Sequence, residues 1–222
     1  MHNSNLEKQM SEKLEIFDLD NEPIAIQDRK DYELEIFNEY QSTGAITKKV
    51  KAIRLVLMTS QGRIYLQKRS RSKKTNPGLL DKTIGGHVSA GHSYSLTVVK
   101  ECAEELGFPS SVLDTAEFKK AAKVTNMQII GIIRLIEILD DFVSKRELGE
   151  GNFLLQPYIT GIYYGYYDGP IRFVDGESCG IESFSLEELK TELTNHPERF
   201  TDDLRFMIEK YGDLFVPVKD IK

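Results

Sequence analysis

Glu101, Glu104 and Glu105 fall at i, i+3 and i+4 within the stretch GGHVSAGHSYSLTVVKECAEELGF, which runs from Gly85 to Phe108. That spacing places all three carboxylates on one face of a helix. Like charges so placed destabilise an isolated helix by roughly a few tenths of a kcal/mol per pair. A hard divalent cation among them removes the repulsion, because Mg²⁺ prefers oxygen ligands. The glycine-rich turn directly before the helix lets backbone approach a ligand closely. A strand, a tight turn and an acidic helix are therefore required in that order.

The helix is predicted from about Ser93 to Leu106, with Ser93 or Ser95 as its cap and Gly107 closing it. Leu96, Val99, Ala103 and Leu106 form an apolar stripe expected to pack on a sheet, with the glutamates on the other side. Upstream, KLEIFDLDNEPIAI reads as two short strands around Asp20-Asn21-Glu22-Pro23. Arg29 to Gln41 has helical period, and Gly44 ends it. Ala52 to Met58 and Arg63 to Lys68 read as a hairpin about Ser60-Gln61-Gly62. Downstream, Phe118 to Val124 and Ile129 to Leu139 are predicted strands, Asp140 to Asn152 a polar loop, and Pro157 to Tyr167 a strand. Ser185 opens a helix through Leu193, with Glu188 completing a capping box, and Asp202 to Tyr211 is a second amphipathic helix. Mixed strands and helices indicate the α+β class.

The 222 residues suffice for one domain with a real core and some elaboration. A net charge of −6 gives general nucleic-acid binding no electrostatic support. No apolar run is long enough to span a bilayer, and no signal-peptide core is present, so neither a membrane nor export is expected. Only Cys102 and Cys179 occur, which argues against a disulfide framework and fits a reducing cytoplasm. Cys102 is expected to be a small buried hydrophobe.

The acidic stretch resembles the signature of the Nudix hydrolases. That pattern runs Gly, five residues, Glu, seven residues, Arg-Glu, an aliphatic residue, any residue, Glu-Glu, any residue, Gly and an aliphatic residue. Gly86 starts it here, and the spacing is unbroken to Phe108. Two positions depart: His92 stands where the pattern has Glu, and Lys100 where it has Arg. Beyond the box, IYLQKRS, PGLLDKTIGGHVSAG and DGPIRFVDGESCGIESFSLEEL are similar to bacterial Nudix proteins close to isopentenyl diphosphate isomerase.

The resemblance implies an α/β/α sandwich with a mixed central sheet over residues 46–222 and an N-terminal strand-helix extension over residues 1–45. It implies hydrolysis of a nucleoside diphosphate linked to another moiety, by water attack at phosphorus with Mg²⁺ or Mn²⁺. By the same resemblance, Glu101, Glu104 and Glu105 ligate the metal, Gly86 adds its carbonyl, and Lys100 takes the arginine's place. Lys100 supplies charge but no planar two-pronged contact. Glu177 is the first choice for a further acid, with Glu147 and Glu150 as alternatives; solvated loop carboxylates are the competing reading of all three. Arg69 is a candidate phosphate contact, and Gly85 and His87 are candidate substrate contacts. His87 has the plainer alternative of a loop hydrogen bond. Tyr158, Tyr163, Tyr164, Tyr166 and Tyr167 are expected to be strand packing rather than a base-stacking platform. The partner is a small-molecule diphosphate, with a homodimer possible.

Two rivals follow. The isomerase uses a Cys where this chain has Gly85, a metal-binding His near Val50, and two Glu near Asn152 and Leu154, so only its His survives, as His87. A non-catalytic nucleotide-binding module is the other. The retained glutamates argue against it, since without a metal they only destabilise the helix.

Overall fold

The structure is a computed structural model and describes residues 12–172 and 178–221. β1 (Lys13–Phe17) and β2 (Pro23–Asp28) pair antiparallel, and α1 (Arg29–Thr43) follows directly. Asn21 takes a left-handed conformation in the intervening turn, and Asp18 accepts from the backbone N–H groups of Asp20 and Glu22, at 2.9 Å each. Gly44, at φ 75°, ends α1 as its spacing predicts.

β3 (Lys49–Met58) is the hub of a ten-stranded mixed sheet. It lies parallel to β9 (Asn152–Tyr166) and antiparallel to β1, β4 (Ile64–Arg69) and β6 (Ile84–His87). The order across the sheet is β10 (Ser178–Phe184), β4, β3, β9, β8 (Gly131–Gly149) and β7 (Ser110–Leu113), with the two-residue β5 (Leu80–Asp81) on β4.

Strand alternation divides the core into two layers. Ile53, Leu55 and Leu57 of β3 pack with Val98, Cys102 and Leu106 of α2 (Tyr94–Glu105) on one face. Val56 and Met58 face the other way, into a cluster with Phe118 and Ala122 of α3 (Thr115–Val124), Leu189 of α4 (Leu186–Asn195), and Leu204, Met207 and Ile208 of α5 (Asp202–Tyr211). Burying each such side chain contributes about 1.5–3 kcal/mol. Helices on both faces of a mixed sheet form the expected sandwich. α4 carries the predicted capping box, with Ser185 and Glu188 exchanging hydrogen bonds with each other's backbone.

Three sequence expectations are corrected. Phe118 to Val124 is helix, not strand: Asp114 caps it by accepting from Glu117 N at 2.8 Å, and the buried pair Phe118 and Ala122 follows a four-residue period. Asp140 to Asn152 is no loop but the outer part of the β8–β9 hairpin, closed by Gly149, Glu150 and Gly151, all at positive φ. Its inward residues include Ser144, whose partner lies on a distant helix, so a polar composition hides a period of two. Finally, α2 is rotated from its expected setting. Leu96 is 46% exposed and Ala103 is exposed, while Val98, Cys102, Glu105 and Leu106 face inward. The residues 1–11 and Glu177 lie outside the described residues.

A buried charge network ties the sheet to α5. Asp203, 6% exposed, accepts from Arg54 Nε at 2.8 Å, Lys82 Nζ at 3.2 Å and Ser144 Oγ at 2.7 Å. Burial alone would push Asp203 upward, but Arg54 and Lys82 hold its carboxyl well below the usual carboxylate range. Asp81 is held low in the same way, against its own burial, by Lys82 and Arg69.

Removing the Asp203 charge leaves buried cations short of a partner, and Asp203→Asn is expected to destabilise the fold by about 3–5 kcal/mol. A depressed carboxyl stabilises above its unfolded value, about pH 4, and the contribution is lost as pH falls through the lowered folded value. Urea unfolding checks this. The gap between wild type and variant should be full near about pH 7 and shrink in acid below about pH 4; a gap constant across that range contradicts the assignment.

Candidate active site

α2 begins where Ser93 Oγ accepts from Leu96 N at 3.1 Å. It ends where Phe108 N–H reaches back to Cys102 O across Gly107, at φ 72°. This setting places the three glutamates in three environments. Glu105 is buried, Glu101 half-buried, and the Glu104 side chain 62% exposed. Glu101 and Glu105 lie one turn apart on α2, and Glu105 bears on the Glu101 carboxyl. Burial, and then the charges of Glu104 and Glu12, push Glu101 above its ordinary range, while Glu105 and Lys100's charge pull the other way. Lys100, 43% exposed, stands 3.8 Å from Glu104 one turn on.

Gly86 faces this cluster from β6. A Cβ there would lie 2.4 Å from Glu101 Oε1, so only glycine lets that carboxylate rest against the strand. The pleat sends the neighbouring side chains the opposite way. Gly85 lies under Lys82, whose Cε would be 2.7 Å from an added Cβ. His87, 7% exposed, is directed away from α2, its ring 6.0 Å from that of Tyr158. Burial first, then Arg29, Arg146 and Arg54, keep His87 neutral by holding its pKa well below the usual value. The chain thus brings Gly86, Glu101 and Glu105 together and places His87 and Gly85 on the reverse face.

The other candidates fall elsewhere. Arg69 is committed to the loop after β4, donating to Thr75 O at 2.9 Å and Asn76 O at 3.2 Å, and standing 3.4 Å from Asp81. Glu147 and Glu150 are exposed at the end of the β8–β9 hairpin, where Asn76 Oδ1 accepts from Glu147 N at 2.7 Å. His92 is exposed on the turn before α2. All five tyrosines of the β9 region are buried. Arg54 and Arg146, which sequence reasoning passed over, flank Tyr158 at 4.9 and 5.3 Å. The signal in the sequence was weak: an arginine inside the apolar run of β3.

The NUDIX domain family matches residues 48–204. Over 151 residues the chain is 25% identical to an isopentenyl-diphosphate Delta-isomerase of Serratia proteamaculans, covering 68% of this chain and 70% of that one. It is 33% identical over 93 residues to Nudix hydrolase 20, chloroplastic, of Arabidopsis thaliana, covering 39% of this chain and only 25% of the relative. The fold resembles the crystal structure of a Deinococcus radiodurans protein with a TM-score of 0.59 at 18% identity, covering 90% of this chain and 98% of that one. The chain belongs to the NUDIX family, and its class of activity is that of a hydrolase acting on pyrophosphate bonds. No helix among the described residues is long and apolar enough to cross a membrane.

The two thiols differ sharply. Burial pushes Cys102 up to about 12, whereas Cys179 is exposed. A thiol reagent should label Cys179 alone in the native protein and both after unfolding; rapid native labelling of Cys102 would show that α2 packs differently.

Proposed function

We propose that the chain is a metal-dependent Nudix pyrophosphohydrolase, which cleaves a nucleoside diphosphate linked to another group by water attack at phosphorus. One observation carries this reading: the Glu101 carboxylate lies against the bare backbone of Gly86, on the same helix as Glu104 and Glu105. A half-buried Glu101 and a buried Glu105, one turn apart on α2, make a pair that a divalent cation would suit.

Among the described residues no three acids, histidines or cysteines already form a metal cluster. The donor set nonetheless fits Mg²⁺ or Mn²⁺, since every candidate is a hard oxygen. Glu101, Glu105 and the Gly86 carbonyl would hold the ion, with Glu104 joining by turning from Lys100. When bound, the ion neutralises phosphate oxygens and lowers the pKa of a coordinated water. Glu101 and Glu105 would bind the ion as carboxylates. Lys100 stands 3.8 Å from Glu104, and Gly86 leaves room for the Glu101 carboxylate to rest against the strand. Glu177 remains the proposed further acid. The substrate is a small diphosphate.

Isomerase chemistry, named for the Serratia relative, is set aside. The resemblance requires a thiol where Gly85 stands, and acids or histidine where Val50 and Leu154 lie buried in a hydrophobic cluster.

A panel of nucleotide sugars, dinucleotides, NADH, coenzyme A and ADP-ribose tests the proposal. Nucleoside monophosphate should appear with Mg²⁺ or Mn²⁺ and cease with EDTA. Binding without turnover across the panel would sink it in favour of the nucleotide-binding module. Gly86→Ala should displace Glu101 and lower the rate roughly 10–100-fold, as disturbance of metal-ligand geometry does, with little change in melting temperature. His92→Glu combined with Lys100→Arg should raise the rate, because it restores a carboxylate and a planar donor; no gain would show that the two departures are neutral.

A further inference from the structure

The reverse face of β6 carries a second cluster that the hydrolytic reading does not use. His87 (β6), Arg54 (β3) and Arg146 (β8) converge on the ring of Tyr158 (β9). The Arg54 guanidinium lies 4.9 Å from that ring, the Arg146 guanidinium 5.3 Å, and the His87 ring 6.0 Å. Arg29, 44% exposed, and Glu12 stand at the rim, where Glu12 Oε1 accepts from Ser89 Oγ at 3.2 Å.

Most of these cations are matched. Arg29 pairs with Glu12 and Glu33, and Arg54 and Lys82 share Asp203. Arg146 is not: it donates to the Tyr158 hydroxyl, makes no ion pair among the described residues, and leaves a buried Nε without a hydrogen-bond partner. His87 is 7% exposed, and its Nδ1 is likewise buried without a partner. Buried polar atoms are almost always satisfied, and leaving one unmade costs about 1–3 kcal/mol. His87 and Arg146 thus place two buried polar atoms without a hydrogen-bond partner beside one Tyr158 ring, and the Arg146 guanidinium makes no ion pair among the described residues, though its charge bears on Asp203.

We propose that this cluster binds a phosphate group, with Arg146 supplying the charge-assisted contact and His87 a neutral hydrogen bond. The phosphate comes either on a nucleotide, as a group beyond the cleaved bond, or as the free ion. The cluster lies on the face of β6 opposite Gly86, and Glu12 at its rim also bears on Glu101.

Calorimetric titration of the full chain in EDTA separates this proposal from hydrolysis. Inorganic phosphate should bind with a Kd below about 1 mM. Arg146→Met and His87→Leu should each weaken it by about tenfold or more, the loss of one buried polar contact. His87→Asn, which keeps an amide donor, should recover part of that loss. Tighter binding of ADP than of phosphate assigns the group to a nucleotide; equal binding assigns the free ion. No binding of either up to about 10 mM, acetate binding as well as phosphate, or unchanged affinity in the variants would overturn the proposal. If Arg146→Met fails to fold by circular dichroism, the two His87 variants decide it.

Discussion

The antiparallel pairing of β6 with β3 is the constraint on which both clusters depend. Gly86 opposes Ile53, and His87 opposes Ala52. A strand turns successive side chains to opposite faces. One short strand therefore gives Glu101 a bare backbone to rest against on one face and supplies a buried imidazole on the other. A shift of one residue in that pairing would exchange the faces and close both sites at once. The register is held by ordinary packing, since Ile53, Leu55 and Ile84 are all buried in the layer beneath α2.

Across the sheet, buried charge takes over from apolar packing as the organising force. Arg54, Lys82 and Asp203 are each nearly inaccessible, and such groups persist only when paired and hydrogen-bonded. Ser144, Thr160 and Thr201 complete the pairing. The network joins β3, the β5–β6 turn, β8 and α5, elements far apart in the chain. It also fixes the Arg54 guanidinium over the rings of Phe142 and Tyr158, at 4.2 and 4.9 Å. The reverse-face cluster thus rests on interactions whose first role is structural.

Local signals were readable where the chemistry was local. Ser185 with Glu188, Gly44 after α1 and Gly62 between β3 and β4 each act within a few residues, and each element lies where those residues place it. α3 is hidden because Phe118 and Val124 are β-prone, whereas Ala116, Ala121, Ala122 and the Asp114 cap favour the helix that forms. The β8–β9 hairpin was missed because Ser144 and Arg146 look like loop residues until Asp203 and Tyr158 are brought to them. The rotation of α2 was hidden for a related reason. Its spacing puts Glu105 on the face with Glu101 and Glu104, yet it is buried beside Cys102.

By itself the sequence determined the acidic helix, the glycine before it, the family and the general order of strands and helices. Those features rest on spacing along the chain, which a helix or a turn converts directly into geometry. The tertiary structure alone decided that His87 and the glutamates occupy opposite faces, that Arg69 is spent on its own loop, and that Arg54 and Arg146 meet beside Tyr158. These contacts join residues dozens of positions apart. Their existence depends on which strand lies beside which, and that is set by burial of the whole core rather than by any local run of residues.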